Sequence, residues 1–134
     1  MVEDTYAAVK RTGMEERVHW TGFVDDEDLP ALYSLSSAFA FPTWYEGFGL
    51  PVLEAMACGT PVVCADNSSL PEVAGQAALL VDAGTPDALA EALYRVLVET
   101  DLRDHMVAAG REQAEKFTWP AAARQLLGVY DSLV

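Results

Sequence analysis

Four short apolar runs divide the first two thirds of the chain. They cover residues 17–23, 38–42, 61–65 and 77–81. Three of the four carry apolar residues at consecutive positions instead of alternating them with polar ones. Continuous apolar runs are typical of strands in a parallel sheet that is covered on both faces. The pattern therefore predicts four parallel strands, the first of them over residues 18–23.

Helical patterns lie between and after these runs. Asp26 is predicted to cap a helix that has Pro30 in its first turn, and Pro51 opens a helix that Gly59 ends. Residues 69–72 have the Ser-x-x-Glu spacing of a capping box. Further helices are predicted over residues 4–13, from residue 87, around residues 102–109 and after residue 118.

Alternation of strands with helices predicts an α/β fold, with a Rossmann-like parallel sheet flanked by helices. Residues 1–134 are expected to form a single domain. In such sheets ligands bind beyond the carboxyl ends of the strands. The loops after residues 23, 41, 65 and 81 are therefore the places to look for a site.

Charge and composition narrow the classes of partner. The chain has 134 residues, with 8 Lys and Arg against 21 Asp and Glu, and its net charge is −13. So acidic a chain is not expected to bind nucleic acid or to contact an anionic membrane through this segment. Two cysteines are too few for a disulfide framework, so we expect the reducing cytoplasm.

Residues 42–59 carry the candidate chemistry. Gly47 and Gly49 let backbone amides approach a ligand closely, and the predicted helix start near Leu50 offers free N–H groups and a positive dipole end. Glu46 and Glu54 frame this turn as hydroxyl acceptors. Phosphate donors between hydroxyl acceptors suit a nucleotide sugar, whose diphosphate joins a ribose to a hexose. An ordinary strand–turn–helix with two surface glutamates explains the same residues, and composition and spacing do not decide between the two.

The sequence EGFGLPVLE at residues 46–54 resembles the signature of retaining glycosyltransferases of family 4, the glycosyl transferases group 1, which have the GT-B fold. Further matches to that family lie at residues 55–63, 69–73 and 77–82. Residues 17–24 resemble its strand and loop beside the nucleobase, and residues 117–119 resemble its C-terminal end. The resemblance covers nearly the whole chain and indicates a partial GT-B C-terminal domain, the one that binds the sugar donor.

The resemblance implies a role for each matching residue. Glu46 would be the catalytic residue, lying beside the donor sugar, and Glu54 would hold the ribose hydroxyls. The full set of implied donor-binding residues is Gly47, Phe48, Gly49, Leu50, Glu54, Val24 and Asp26. The implied reaction is hexosyl transfer from a nucleotide diphosphate sugar with retention of configuration. No metal or other cofactor is implied, because helix amides and basic side chains would stabilise the departing diphosphate.

The chain also departs from the family pattern. Nothing in it corresponds to the acceptor domain that comes first in the family, and Lys10 and Arg11 do not match the basic pair that grips the diphosphate. We therefore expect a fragment, truncated on its N-terminal side and inactive by itself.

Two other functions stay open. One is a non-catalytic nucleotide-sugar-binding or self-assembling module. The other is a GT-B epimerase, against which the paired glutamates argue. The resemblance assigns the four predicted strands to positions three to six of the family's sheet. The missing first and second strands would lie between those at residues 18–23 and 38–41. Their absence is expected to leave two open strand edges, which would favour a homodimer.

Overall fold

The structure is a computed structural model that describes residues 2–133. A 3-10 turn at Glu15–Arg17 follows the first helix. The helices are α1 (Val2–Thr12), α2 (Leu29–Leu35), α3 (Leu50–Ala57), α4 (Leu70–Ala74), α5 (Pro86–Val98), α6 (Thr100–Ala114) and α7 (Trp119–Asp131). The strands are β1 (Phe39–Phe41), β2 (Val62–Ala65) and β3 (Ala78–Val81).

The three strands form one parallel sheet in the order β1-β2-β3. Phe39 lies opposite Val62, and Val62 lies opposite Ala78. Every residue of the central strand β2 is buried, as expected for a strand with helices on both faces. The predicted α/β class and the last three predicted strands are confirmed.

The first predicted strand is wrong. In the described structure residues 19–24 make no backbone-to-backbone hydrogen bond, and Gly22 has a φ of 64°. Phe23 is 88% exposed, and Trp20 packs on Tyr6 of α1, with ring centroids 4.3 Å apart. A strand needs a neighbouring strand to take up its N–H and C=O groups, and none lies beside this segment. The sheet therefore has β1 and β3 as its edges, and only the β1 edge of the expected pair is present.

The apolar core has a layer on each face of the sheet. On one face Val62 and Cys64 belong to a cluster built with α3 and α4. On the other, Val63 belongs to a cluster with side chains of α5 and α6. The helix α6 also packs closely on α3, because a Cβ at Gly110 would lie only 3.3 Å from Cγ of Met56. The helix that carries half of the candidate motif is thus supported along its inner side.

Helix boundaries follow the sequence closely in most places. The helix α3 spans Leu50–Ala57, within a residue of the prediction. The helix α2 begins at Leu29 with Asp28 as its N-cap residue, so the prediction that Asp26 caps it is wrong. In residues 2–133 each helix is too short or too polar to cross a lipid bilayer.

Candidate functional site

The loops that follow the three strands meet at one end of the sheet. The Nδ2 group of Asn67, after β2, donates to the carbonyl oxygen of Thr43, after β1, at 3.0 Å. The ring of Trp44 lies against the loop after β3, because a Cβ at Gly84 would be 3.3 Å from its Cη2 atom. Three of the four loops singled out from the sequence therefore lie together at the carboxyl ends of the strands.

Ser69 fixes the backbone of the motif loop. Its hydroxyl donates to the carbonyl oxygens of Glu46 (3.1 Å) and Phe48 (2.9 Å). Ser69 occupies the N-cap position of α4 but makes no side-chain cap bond. The predicted capping box is therefore wrong, because the Ser69 hydroxyl bonds to two carbonyl oxygens of the facing loop and not to an amide of α4.

Gly49 makes the turn from the loop into α3. It is the N-cap residue of that helix, with φ 102° and ψ 37°, and it is buried. A Cβ at this position would lie 2.7 Å from Cδ2 of Leu70, a side chain that is itself fully buried. Only glycine combines this backbone conformation with so close an approach.

The start of α3 presents backbone donors. The amides of Val52 and Leu53 bond to the carbonyl oxygen of Gly49. Among the described residues, the amides of Gly47, Gly49 and Leu50 have no acceptor. Unpaired amides and the positive end of the helix dipole together favour an anion at this point.

Glu46 lies within the turn itself. Its carboxylate atom Oε1 accepts a hydrogen bond from the Phe48 amide at 3.3 Å, and its side chain is half-buried. The ring of Phe48 packs edge-on against Phe117, with centroids 6.1 Å apart. Of the four predicted loop amides, that of Phe48 is thus already paired with the neighbouring carboxylate.

Glu54 lies in a cleft of about 390 Å³ between α2 and α3. The cleft is lined by Asp26, Leu29, Pro30, Tyr33, Glu54, Ala57 and Cys58. The Tyr33 hydroxyl donates to Oε2 of Glu54 at 3.3 Å. Burial and, after it, the Glu54 carboxylate raise the pKa of Tyr33 to about 12, so the phenol is a hydrogen-bond donor at neutral pH. Sequence reasoning missed Tyr33, although a hydroxyl on an otherwise apolar helix face was a visible signal.

The other predicted residues take separate positions. Glu46 is not among the residues that line the cleft around Glu54. Val24 is half-buried in the irregular segment before α2. Asp26 lines both the Glu54 cleft and a second, acidic hollow with Phe23. The structure thus brings Glu54 and Asp26 together and leaves Glu46 with the loop amides.

Basic side chains are absent from the stretch of sequence that carries the site. Residues 18–94 contain no Lys or Arg. An anion bound at the motif loop would therefore be held by backbone amides and not by cationic side chains of these loops. Within residues 2–133 no group of three or more His, Cys, Asp or Glu side chains is arranged to hold a metal ion. The Asp82 carboxylate accepts hydrogen bonds from the Gly84 amide and the Thr85 hydroxyl within its own turn. These bonds lower the pKa of its carboxyl.

The features gathered at the strand ends are a glycine turn, unpaired amides at a helix start and two carboxylates. Such an arrangement at the carboxyl ends of a parallel sheet is typical of ligand sites in α/β domains. The chain belongs to the glycosyl transferases group 1 family, whose family model matches residues 3–113.

Curated relatives share this sequence over most of its length. The chain is 42% identical over 125 residues to the O-antigen chain mannosyltransferase B of Escherichia coli, covering 93% of this chain and 33% of that protein. It is 37% identical over 131 residues to a D-inositol 3-phosphate glycosyltransferase of Corynebacterium diphtheriae, covering 96% and 31%. The chain therefore spans about a third of the length of these relatives.

Solved structures show the same fold. Sucrose-phosphate synthase from Thermosynechococcus elongatus superimposes with a TM-score of 0.86 at 33% identity, over 98% of this chain and 34% of that one. Anabaena HepE, solved in complex with UDP-glucose, gives a TM-score of 0.85 at 26% identity, over 98% and 36%. These neighbours confirm a GT-B type glycosyltransferase fold.

Proposed function

We propose that this chain supplies most of the donor-binding side of a glycosyltransferase that transfers a hexosyl group from a nucleotide diphosphate sugar with retention of configuration. One observation carries the proposal. The turn from Glu46 to Leu50 presents unpaired amides at the start of α3, between one carboxylate in the turn and a second, Glu54, in the adjacent cleft. Membership of the glycosyl transferases group 1 family indicates that the ligand of this arrangement is a nucleotide sugar.

Each part of the arrangement has a role in the proposal. The amides of Gly47, Gly49 and Leu50 bind the diphosphate and stabilise it as it departs. Glu46 accepts hydrogen bonds from the donor sugar. Its bond to the Phe48 amide keeps the carboxylate at the loop until a sugar hydroxyl competes for it.

The cleft of about 390 Å³ accepts the nucleoside. Glu54 takes the ribose hydroxyls, while Asp26, and beyond it Val24, lie toward the base. The E. coli relative is a mannosyltransferase, which favours a mannosyl donor, whereas HepE was solved with UDP-glucose. The base and the sugar are therefore left to experiment.

We propose that the chemistry needs no bound metal and no other cofactor. Helix amides can take over charge stabilisation that a metal supplies elsewhere. A chelator such as EDTA should leave donor binding unchanged, and loss of binding on chelation would contradict this.

The chain spans about a third of the length of its relatives, and we propose that residues outside this chain supply the acceptor side of the reaction. We therefore propose that the chain alone transfers little or no sugar. A net charge of −13 repels a diphosphate over long range, so its donor binding should be weak and should tighten when salt is added. Robust transfer by the purified chain would refute this.

The second candidate is a non-catalytic nucleotide-sugar-binding or self-assembling module. It is favoured by the unpaired outer edge of β1, which can add a strand from a second chain. A homodimer joined along β1 predicts a doubled mass in sedimentation at micromolar concentration. A monomer there would rule out the self-assembling form of this candidate.

A reducing, cytoplasmic setting suits the chain, because both cysteines are free thiols.

The direct test is a thermal-shift panel of GDP-, UDP- and ADP-sugars. One class of donor should raise the melting temperature and the others should not. A flat panel at millimolar donor would contradict donor binding.

A further inference from the structure

Tyr33 is held in place from two directions. Its ring packs edge-on against Phe39 of β1, with centroids 5.3 Å apart and planes at 89°. Its carbonyl oxygen accepts a hydrogen bond of 2.6 Å from the hydroxyl of Thr60, a residue only 3% exposed. The backbone of Tyr33 is therefore held by the connection from α3 to β2, and its ring is held by the sheet.

The Tyr33 hydroxyl ends at the carboxylate of Glu54. It donates to Oε2 at 3.3 Å, and in the described part of the chain Glu54 has no other side-chain hydrogen bond and no ion pair. The pKa of about 12 keeps the phenol protonated, so it donates and does not repel the carboxylate. One oxygen of Glu54 is thus fixed, and Oε1 is left for another donor.

We propose that Tyr33 is a positioning residue for Glu54, and that it aims the carboxylate into the cleft to receive the ribose diol of the donor nucleotide. This rests on the function proposed above. A glutamate near the surface of a helix samples several rotamers, and a carboxylate that must accept two hydroxyl groups gains affinity when it is held in one. Tyr33 lines the same cleft, so its hydroxyl lies on the side from which the ribose approaches.

The proposal predicts an effect on ribose recognition and not merely on stability. The measured quantity is the ratio of the dissociation constants of a 2′-deoxynucleoside diphosphate and its ribose counterpart, by calorimetry. The probe is whichever of GDP, UDP and ADP binds the protein most tightly. Tyr33→Phe keeps the ring on Phe39 and removes only the hydroxyl. Tyr94→Phe, at an exposed tyrosine of α5, is the matched control.

We expect Tyr33→Phe to lower the ratio about threefold to tenfold, which corresponds to the loss of one hydrogen bond. If Tyr33 only held the fold together, its replacement would weaken the binding of both nucleotides equally and leave the ratio unchanged. Glu54→Gln should lower the ratio further. Adding Tyr33→Phe to Glu54→Gln should then change nothing more, because the tyrosine acts through the carboxylate.

The outcomes separate this inference from the proposed function. If Glu54→Gln lowers the ratio and Tyr33→Phe does not, the positioning role is refuted and the ribose role of Glu54 stands. If Tyr33→Phe lowers the ratio equally with and without Glu54→Gln, the tyrosine acts on the nucleotide itself, and the positioning role is again refuted. If neither variant changes the ratio, Glu54 does not bind ribose and both ideas fall.

Discussion

Gly49 offers a quantitative test of the geometry at the start of α3. Replacing it with alanine adds one methyl group. That group meets two obstacles, a φ of 102° and the Leu70 side chain 2.7 Å away. A non-glycine residue in a disfavoured backbone region costs about 1–3 kcal/mol, and a methyl forced into a packed site costs about 1–3 kcal/mol. We therefore expect Gly49→Ala to lower the free energy of unfolding by roughly 2–6 kcal/mol.

Thermal unfolding followed by circular dichroism measures this loss. For a chain of this size one kcal/mol corresponds to about 3–4 °C in melting temperature, so the midpoint should fall by roughly 6–24 °C. Two controls separate the contributions. Gly22→Ala has a positive φ of 64° but open space around its Cβ, and Gly47→Ala has space and no positive φ. We expect a fall of roughly 3–12 °C for the first, from the backbone conformation alone, and little change for the second. If the Gly49→Ala and Gly47→Ala proteins have the same melting temperature, the close approach of Gly49 to Leu70 is refuted.

Three other predictions follow from the same contacts. Ser69→Ala removes the hydroxyl that holds two loop carbonyls, so it should cost about 1 kcal/mol in urea unfolding and weaken donor binding in calorimetry; equal donor affinity in both proteins would contradict its role in holding the loop. Glu46→Gln, in a protein that also carries an acceptor domain, should cut kcat/KM by about 30- to 1,000-fold with little change in melting temperature, and unchanged turnover would remove Glu46 from the site. Burial, with a smaller contribution from Asp66, raises the pKa of the Cys64 thiol from 9.0 to about 12. Above pH 9 the unfolded chain therefore loses a proton that the folded chain keeps, and the free energy of unfolding should fall as the pH rises from about 9 toward 12. Cys64→Ala should flatten that slope, and an identical slope would contradict the burial.

The parts of the fold that the sequence predicted correctly are those with a local cause. The run at residues 61–65 is apolar at every position, and such a strand can only sit between two helical layers, where β2 lies. Likewise Pro51 and Gly59 set the limits of α3 by their own backbone preferences. The same glycine and proline spacing located the motif turn.

The parts that the sequence did not predict depend on partners far away in the chain. Residues 18–23 have strand-like side chains but no neighbouring strand, so they stay irregular. Ser69 matches a capping box, yet carbonyl groups more than 20 residues earlier take its hydroxyl. The bond from Tyr33 to Glu54 likewise joins residues 21 positions apart. No local pattern encodes such pairings.

The central claim is that the amides at the start of α3 and the neighbouring Glu54 cleft bind one nucleotide sugar. It is tested most directly by ¹⁵N-labelled nuclear magnetic resonance titration of the chain with the donor that the thermal-shift panel selects. The account predicts that the largest amide shifts fall at Gly47, Gly49 and Leu50 and on the cleft-lining turns of α2 and α3. Shifts confined to α5, α6 or α7, or no shift at saturating donor, would contradict it.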